Sequence, residues 1–213
     1  MTFTRAIGLG AGKIIRRIVW ALALSKINPN VLTFLGLVIN IVAACFLAFG
    51  HFLIAGFIIL FAGLFDMVDG RVARATNQVT RFGGFFDSVL DRYSDLGLLV
   101  GLLVYYGSIN RPSYVVLTAI AMAACVMISY TRTRAENLIP ACKVGFLERP
   151  ERVVLLILGA LFNRMAPVLW LIAVLGNLTV IHRMVFTYQE AKRLEEAQLR
   201  TRAAAASSAG KSA

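Results

Sequence analysis

The chain has 213 residues, 59% of them hydrophobic and 15% charged, with a mean hydropathy of +0.75 and a formal net charge of +11. Soluble domains run at roughly 45–50% apolar and about 25% charged, so the composition excludes an ordinary water-soluble globule and points to a one-domain integral membrane protein. Three cysteines without paired or metal-like spacing exclude a disulfide framework; Cys45 and Cys125 sit in apolar runs and are expected to be small core residues.

In chain order, the first segment (1–27) interleaves Arg5, Lys13, Arg16 and Arg17 with Ile14, Ile15, Ile18, Val19 and Trp20. No clear small-residue cleavage site follows its short apolar run, so it does not read as a signal peptide. The pattern predicts an amphipathic helix lying on an anionic membrane face. "NPNVLT" at 28–33 is a breaker followed by a helix start, and the apolar run Val31–Gly50 is long enough to span a bilayer, which needs about 20 residues. His51 closes a tight turn. Phe52–Phe65 has only 14 residues before Asp66, and Leu96–Tyr106 is shorter still. At about 1.5 Å per residue neither crosses a ~30 Å hydrocarbon core unless its helix continues into the polar segment between them. Pro112–Tyr130 is a fourth span, continuing toward Arg132. Val153–Phe162 is a short fifth, extended backwards through "ERPER", and Ala166–Arg183 is the sixth. The expected organisation is an N-terminal surface helix (1–27), an all-α six-helix membrane domain (28–190) and a basic, flexible tail (191–213).

Six spans put both termini on one side. Arg5, Lys13, Arg16, Arg17, Lys26, the 66–95 and 131–152 connections and the tail share that side, whereas the opposite loops carry Arg111 and Arg164. The basic side is expected to be cytoplasmic. Topology and anionic lipid therefore account for the positive charge, and no nucleic-acid partner is expected.

All five aspartates fall between 66 and 95. Asp66 and Asp69 (i, i+3) end one helix; Asp87 and Asp91 (i, i+4) begin the next, so each pair shares a helix face. A turn over 75–82 makes the helices antiparallel and lets the two faces meet at the membrane boundary. Carboxylates this close repel unless cations hold them. Oxygen donors without nearby His or Cys favour Mg²⁺ or Mn²⁺, and four acids suit two ions roughly 3.5–4 Å apart, an arrangement used in phosphoryl chemistry. Gly70, Ala73 and Gly83 leave room for close approach, and Arg74 offers a fork for phosphate. Asp95 is expected to be a solvated helix end.

Asp66-x-x-Asp69-Gly70-x-x-Ala73-Arg74, then eight residues, then Gly83-x-x-x-Asp87-x-x-x-Asp91 resembles the complete signature of the CDP-alcohol phosphotransferases, and the six-span pattern extends the resemblance over most of the chain. The resemblance implies transfer of a phosphatidyl group from CDP-diacylglycerol to an alcohol with release of CMP, by a homodimer whose protomers each hold a site. It implies that Asp66, Asp69, Asp87 and Asp91 ligate two metal ions, with Asp91 also the general base. It further implies that Asp69, Gly70, Ala73, Arg74 and Gly83 line the nucleotide. Asn28, Pro29 and Thr33 open the first span near the same side and are placed beside the nucleotide, with a plain helix cap as the alternative.

The stretch from Ser129 to Val154, "SYTRTRAENLIPACKVGFLERPERVV", adds a cluster of arginines on the aspartates' side. Several guanidiniums together suit a phosphate dianion, and Arg149 and Arg152 flank Pro150 with Glu148 and Glu151 expected to frame them in salt bridges. The region is similar to that of prokaryotic phosphatidylinositol-phosphate synthases and their archaeal relatives. That similarity implies an inositol phosphate acceptor bound by Ser129, Arg132, Arg149, Arg152 and Arg183. Position 132 is often lysine in the bacterial enzymes, and arginine keeps the charge with a different geometry. Rival readings are a phosphatidylglycerolphosphate synthase using glycerol 3-phosphate, a cation transporter with an acidic intramembrane site, and an inactive scaffold. A conduction path requires polar residues near midplane on several helices, where the outer halves here are almost wholly apolar. The scaffold is disfavoured because no signature aspartate is missing.

Overall fold

The computed structural model describes residues 29–75 and 80–209, with side chains over 30–66 and 80–200. The segment 1–27 and Asn28 lie outside the described residues. Six helices follow one another: α1 (Pro29–Ala48), α2 (Phe52–Ala75), α3 (Arg81–Ser108), α4 (Pro112–Ala135), α5 (Arg149–Leu161) and α6 (Met165–Ala209). There is no strand among the described residues. The principal packing is cyclic. Each helix lies against two others in the order α2–α1–α3–α4–α6–α5 and back to α2.

Three helix pairs turn back on themselves at the same end of the bundle, each through the same backbone motif. The amide of His51 donates to the carbonyl of Phe46 and that of Gly50 to Leu47; Arg111 and Asn110 repeat the pattern on Tyr106 and Gly107, and Arg164 and Asn163 on Gly159 and Ala160. These paired bonds satisfy carbonyls left open by the helix end and require a left-handed residue. Gly50 (φ 78°), Asn110 (φ 53°) and Asn163 (φ 52°) supply it. At the opposite end, α3 is opened by Thr80, whose hydroxyl accepts from the amide of Gly83 at 2.9 Å. α5 is opened by Glu148, whose amide donates to the Glu151 carboxylate at 3.0 Å, with Pro150 in the first turn where its missing N–H costs nothing.

The core is built from Ala43, Leu47, Ile59, Leu98, Leu102, Leu169 and Ile172, among others. Small residues set the helix spacing. At Gly101 an added Cβ would lie 2.3 Å from the carbonyl oxygen of Ala44, so α1 and α3 meet nearly backbone to backbone. This is the packing device of helices in lipid, where apolar side chains gain little by leaving the solvent. Large apolar residues such as Phe34, Phe57, Val116 and Trp170 face outward instead, as lipid contact demands. Cys125 is buried as expected, but Cys45 is exposed on this outer face.

Three helices are long and apolar enough to cross a membrane, over Asn30–Ala48, Pro112–Ala135 and Met165–Arg200, and Phe52–Asp66 is a shorter apolar helix. The chain is thus an all-helical membrane protein. α3 carries its charged residues inside the helix, and α5 has only 13 residues, about 20 Å of rise.

The largest departure from the sequence reading is at the C-terminal end. The tail expected to be flexible from 191 continues α6 as one 45-residue helix to Ala209. Phe186, Ala191 and Leu194 pack on Ala135, Ile139 and Cys142, so the helix is held by a second small core beyond the bundle. The connection 136–148 that forms this core is itself latched to α6. Buried Thr179 donates to the Leu175 carbonyl at 2.8 Å and accepts the amides of Phe146 and Leu147, each at 3.1 Å.

The α1–α3 crossing is testable. Gly101→Ala places a methyl against backbone that cannot swing aside, and overpacking of this kind costs about 1–3 kcal/mol. The detergent-solubilised protein should melt several degrees lower, and an unchanged midpoint would contradict the crossing.

Candidate active site

The starts of α1, α3 and α5 and the later turns of α2 and α4 gather at the end of the bundle opposite the three tight turns. α1 faces both acidic helices. An added Cβ at Gly36 would lie 2.8 Å from Oδ1 of Asp66, and one at Gly83 would lie 3.3 Å from Oδ1 of Asn30. Thr33 is buried one turn above Asn30. The start of α1 therefore lies beside Gly83, although Asn28 itself is outside the described residues. Asp69, Gly70, Ala73 and Arg74 continue α2 for two turns past Asp66, with Pro29 at the start of α1; their side chains fall outside the described set.

On α3, Asp87, Asp91 and Asp95 recur every four residues and share one face. This face meets Arg149 from the first turn of α5. Nη2 of Arg149 lies 2.8 Å from Oδ2 of Asp66 and 2.9 Å from Oδ1 of Asp91, so carboxylates from two antiparallel helices turn toward one cationic group. The same guanidinium places Nε 3.7 Å from Oδ1 of Asp95, whose other oxygen is 2.6 Å from Nη2 of Arg152. Asp95 is only 5% exposed and Arg152 only 3%. The expectation of a solvated helix end at Asp95 is therefore overturned; an apolar bundle at this depth requires the carboxylate to be paired. Among the described residues no group of three acids, histidines or cysteines forms a ready-made metal cage.

The arginines are not framed as expected. Arg149 and Arg152 pair with aspartates of α2 and α3. Glu151 caps its own helix, and Glu148 serves Arg132 at 3.4 Å and Arg183 at 3.3 Å. Arg183, 1% exposed, also donates from Nε to the Val144 carbonyl at 2.8 Å and from Nη1 to the Ile128 carbonyl at 2.6 Å. It thereby ties the 136–148 connection to α4 and α6.

Ser129, Arg132, Arg149, Arg152 and Arg183 nevertheless line one cavity of about 460 Å³, and Asp91 is part of its wall. The aspartate face and the arginine cluster are thus one continuous site joined at Asp91. The cavity also takes Ser88 and Arg92 from α3, Thr133 from α4 and Glu136 at the C-cap of α4, which the sequence reading left out. Their signal was periodicity: Ser129, Arg132, Thr133 and Glu136 fall at i, i+3, i+4 and i+7, the polar face of the last turns of α4. Gly36 carried no such signal, because only the packing of α1 on α2 brings it to Asp66.

Between this site and the tight turns the buried core is apolar. Asn40 and Thr118, buried within that stretch, bond carbonyls of their own helices, Gly36 at 3.1 Å and Tyr114 at 2.7 Å. Such locally satisfied groups do not form the polar track that ion conduction needs.

A family model of the CDP-alcohol phosphatidyltransferases matches residues 26–190. The archaetidylinositol phosphate synthase of Pyrococcus horikoshii is 36% identical over 182 residues, covering 85% of this chain and 93% of that one. The phosphatidylinositol phosphate synthase of Mycobacterium tuberculosis, solved with CDP-DAG bound, superposes with a TM-score of 0.77 at 29% identity, over 83% of this chain and 94% of that one. The same enzyme in complex with manganese and citrate gives a TM-score of 0.75 at 30% identity, over 82% and 88%. With the full aspartate signature on two helices that meet at one arginine, and a matching fold over most of its length, the chain belongs to the CDP-alcohol phosphatidyltransferase family.

Proposed function

We propose that this protein is a six-span membrane transferase that moves a phosphatidyl group from CDP-diacylglycerol to a hydroxyl of an inositol phosphate, yielding a phosphatidylinositol phosphate and CMP. The observation that carries the reading is the position of Asp91, on the aspartate face and in the wall of the arginine-lined cavity at once. A donor diphosphate held by one half of the site and an acceptor phosphate held by the other would meet at this carboxylate. The relatives support the acceptor: one enzyme is named for an archaetidyl lipid and the other for a phosphatidyl lipid, yet both are named for inositol phosphate.

In the reaction the acceptor oxygen bonds to the lipid-bearing phosphorus. The bond from that phosphorus to the bridging oxygen breaks, and CMP leaves with the bridging oxygen. Asp91 takes the proton of the acceptor hydroxyl, as a carboxylate within hydrogen-bond reach can. Arg132, Arg149 and Arg152, with Ser129, bind the acceptor phosphate, and Arg183 holds the connection that forms the far wall. Gly70, Ala73, Arg74 and Gly83, with Asn28, Pro29 and Thr33, line the nucleotide.

The residues fit hard divalent ions. Oxygen donors from α2 and α3 turn toward a single cationic nitrogen of Arg149, and the donor set is carboxylate alone. Asp66, Asp69, Asp87 and Asp91 would hold two ions, Mg²⁺ or Mn²⁺, which would supply charge neutralisation for the diphosphate and the departing CMP. Arginine-rich connections at the site's end support a cytoplasmic reading of that end and of both termini, and the protein is read as a homodimer in the cytoplasmic membrane.

Purified protein in detergent, given CDP-diacylglycerol, Mg²⁺ and inositol phosphate, should release CMP and lose that activity on chelation by EDTA. CMP release with glycerol 3-phosphate and none with inositol phosphate would refute the acceptor assignment. Asp91→Asn should lower kcat by about 10²–10⁴-fold, the usual worth of a positioned general base, while CDP-diacylglycerol binding measured by calorimetry persists. Near-normal turnover in that variant would remove the base role.

A further inference from the structure

Asp95 lies outside the eight-residue signature, one helical turn deeper than Asp91 on the same face of α3. It is the most buried of the described carboxylates of the site and divides its two oxygens between two arginines. Oδ2 binds Nη2 of Arg152 at 2.6 Å, and Oδ1 faces Nε of Arg149 at 3.7 Å. Both arginines stand in the first turn of α5, at i and i+3, and both line the cavity that also contains Asp95 and Asp91. Nε of Arg149 and Nε of Arg152 are buried and have no hydrogen-bond partner among the described residues. Unpaired buried donors of this kind are expensive unless a ligand completes them, and an anion in the cavity is the acceptor to which two guanidinium N–H groups would donate.

From this arrangement we infer that Asp95 is a positioning residue for acceptor binding: it aims Arg149 and Arg152 from α5 into the cavity and fixes their distance from Asp91. The inference deepens the proposed transferase reading and rests on it.

Arginine has four rotatable side-chain bonds and holds one orientation only when its fork is bonded. Among the described residues Arg152 has a single carboxylate partner, Asp95. Arg149 has three, and two of them, Asp66 and Asp91, belong to the signature. Without the Asp95 charge, Arg149 would be drawn wholly to the signature carboxylates, and Arg152 would lose its one carboxylate anchor among the described residues. The donor half of the site would keep its aspartates, whereas the acceptor half would lose the orientation of two guanidiniums. Asp95 thus separates the two halves functionally although it lies within hydrogen-bond reach of only one of them. A purely structural ion pair would show no such asymmetry between substrates.

The test compares wild type with Asp95→Asn and Asp95→Glu, using whichever phosphorylated alcohol the wild type turns over. Steady-state CMP release gives KM for donor and acceptor separately, and calorimetry gives acceptor binding without the donor. Asp95→Asn should raise the acceptor KM about tenfold or more, weaken acceptor binding in parallel and leave the CDP-diacylglycerol KM within about twofold. Asp95→Glu, which keeps the charge one methylene further out, should fall between the two. Equal shifts in both KM values, or an unchanged acceptor KM, would overturn the inference. Should Asp95→Asn not yield a monodisperse protein, Asp95→Glu decides alone: a severalfold rise in acceptor KM with the donor KM constant supports positioning, and no rise overturns it. Failure of wild type itself to release CMP with any phosphorylated alcohol would instead refute the transferase reading.

Discussion

Charge compensation at one end of an apolar bundle governs this structure. Five aspartates on two neighbouring helices would repel each other and draw water into the core if left alone. Arg149 and Arg152 answer three of them, from the first turn of a helix far away in sequence. That requirement explains why α5 is short and begins where it does. Its N-terminus must present two guanidiniums to α2 and α3, while its C-terminus must turn back into α6 at Asn163. The capping of Glu148 by Glu151 and the proline at 150 stabilise a helix start at the one place where those arginines can reach.

A second layer of bonds supports the first. Arg183 and Thr179 on α6 hold the 136–148 connection by its backbone, and Glu148 at the end of that connection pairs with Arg132 and Arg183. The far wall of the cavity is therefore assembled from α4, α5 and α6 as a bonded unit. The aspartate wall comes from α2 and α3, held against α1 by the close approach at Gly101 and by Gly36 beside Asp66. A group-transfer site needs two substrates in one place with their reacting atoms aligned. Here each wall is rigid for its own reason, and Arg149 and Asp91 are where the walls touch. The opposite end of the bundle carries none of this chemistry and uses one repeated turn motif three times, which leaves the polar groups concentrated at a single depth.

Much of the local structure was legible in the chain. Spacing placed Asp66 and Asp69, and Asp87 and Asp91, on shared faces, and the helices do run through 52–75 and 81–108. The backward extension of the fifth helix through "ERPER" and the continuation of the fourth past Arg132 also hold. Each of these follows from periodicity and capping, which act over one or two turns. The misreadings involve distant partners. Asp95 looked like a solvated end because nothing near it in sequence neutralises it; its partner is 57 residues away. Cys45 looked like core because its run is apolar throughout, and in a bilayer an apolar run does not reveal which side faces protein. The extension of α6 looked like a loose tail because its residues are polar, yet Phe186 and Leu194 find a small core in the 136–147 connection.

By itself, then, the amino-acid sequence determined the class of protein, the order of its helices and the chemistry of its acidic signature, because composition and short-range spacing suffice for these. Tertiary structure alone decided which arginine meets which aspartate, that the acidic face and the basic cavity share Asp91, and that Asp95 is buried against Arg152. Those outcomes depend on ion pairs and backbone contacts between helices many residues apart, and in an apolar bundle the partner of a charge is set by packing, not by its neighbours in the chain.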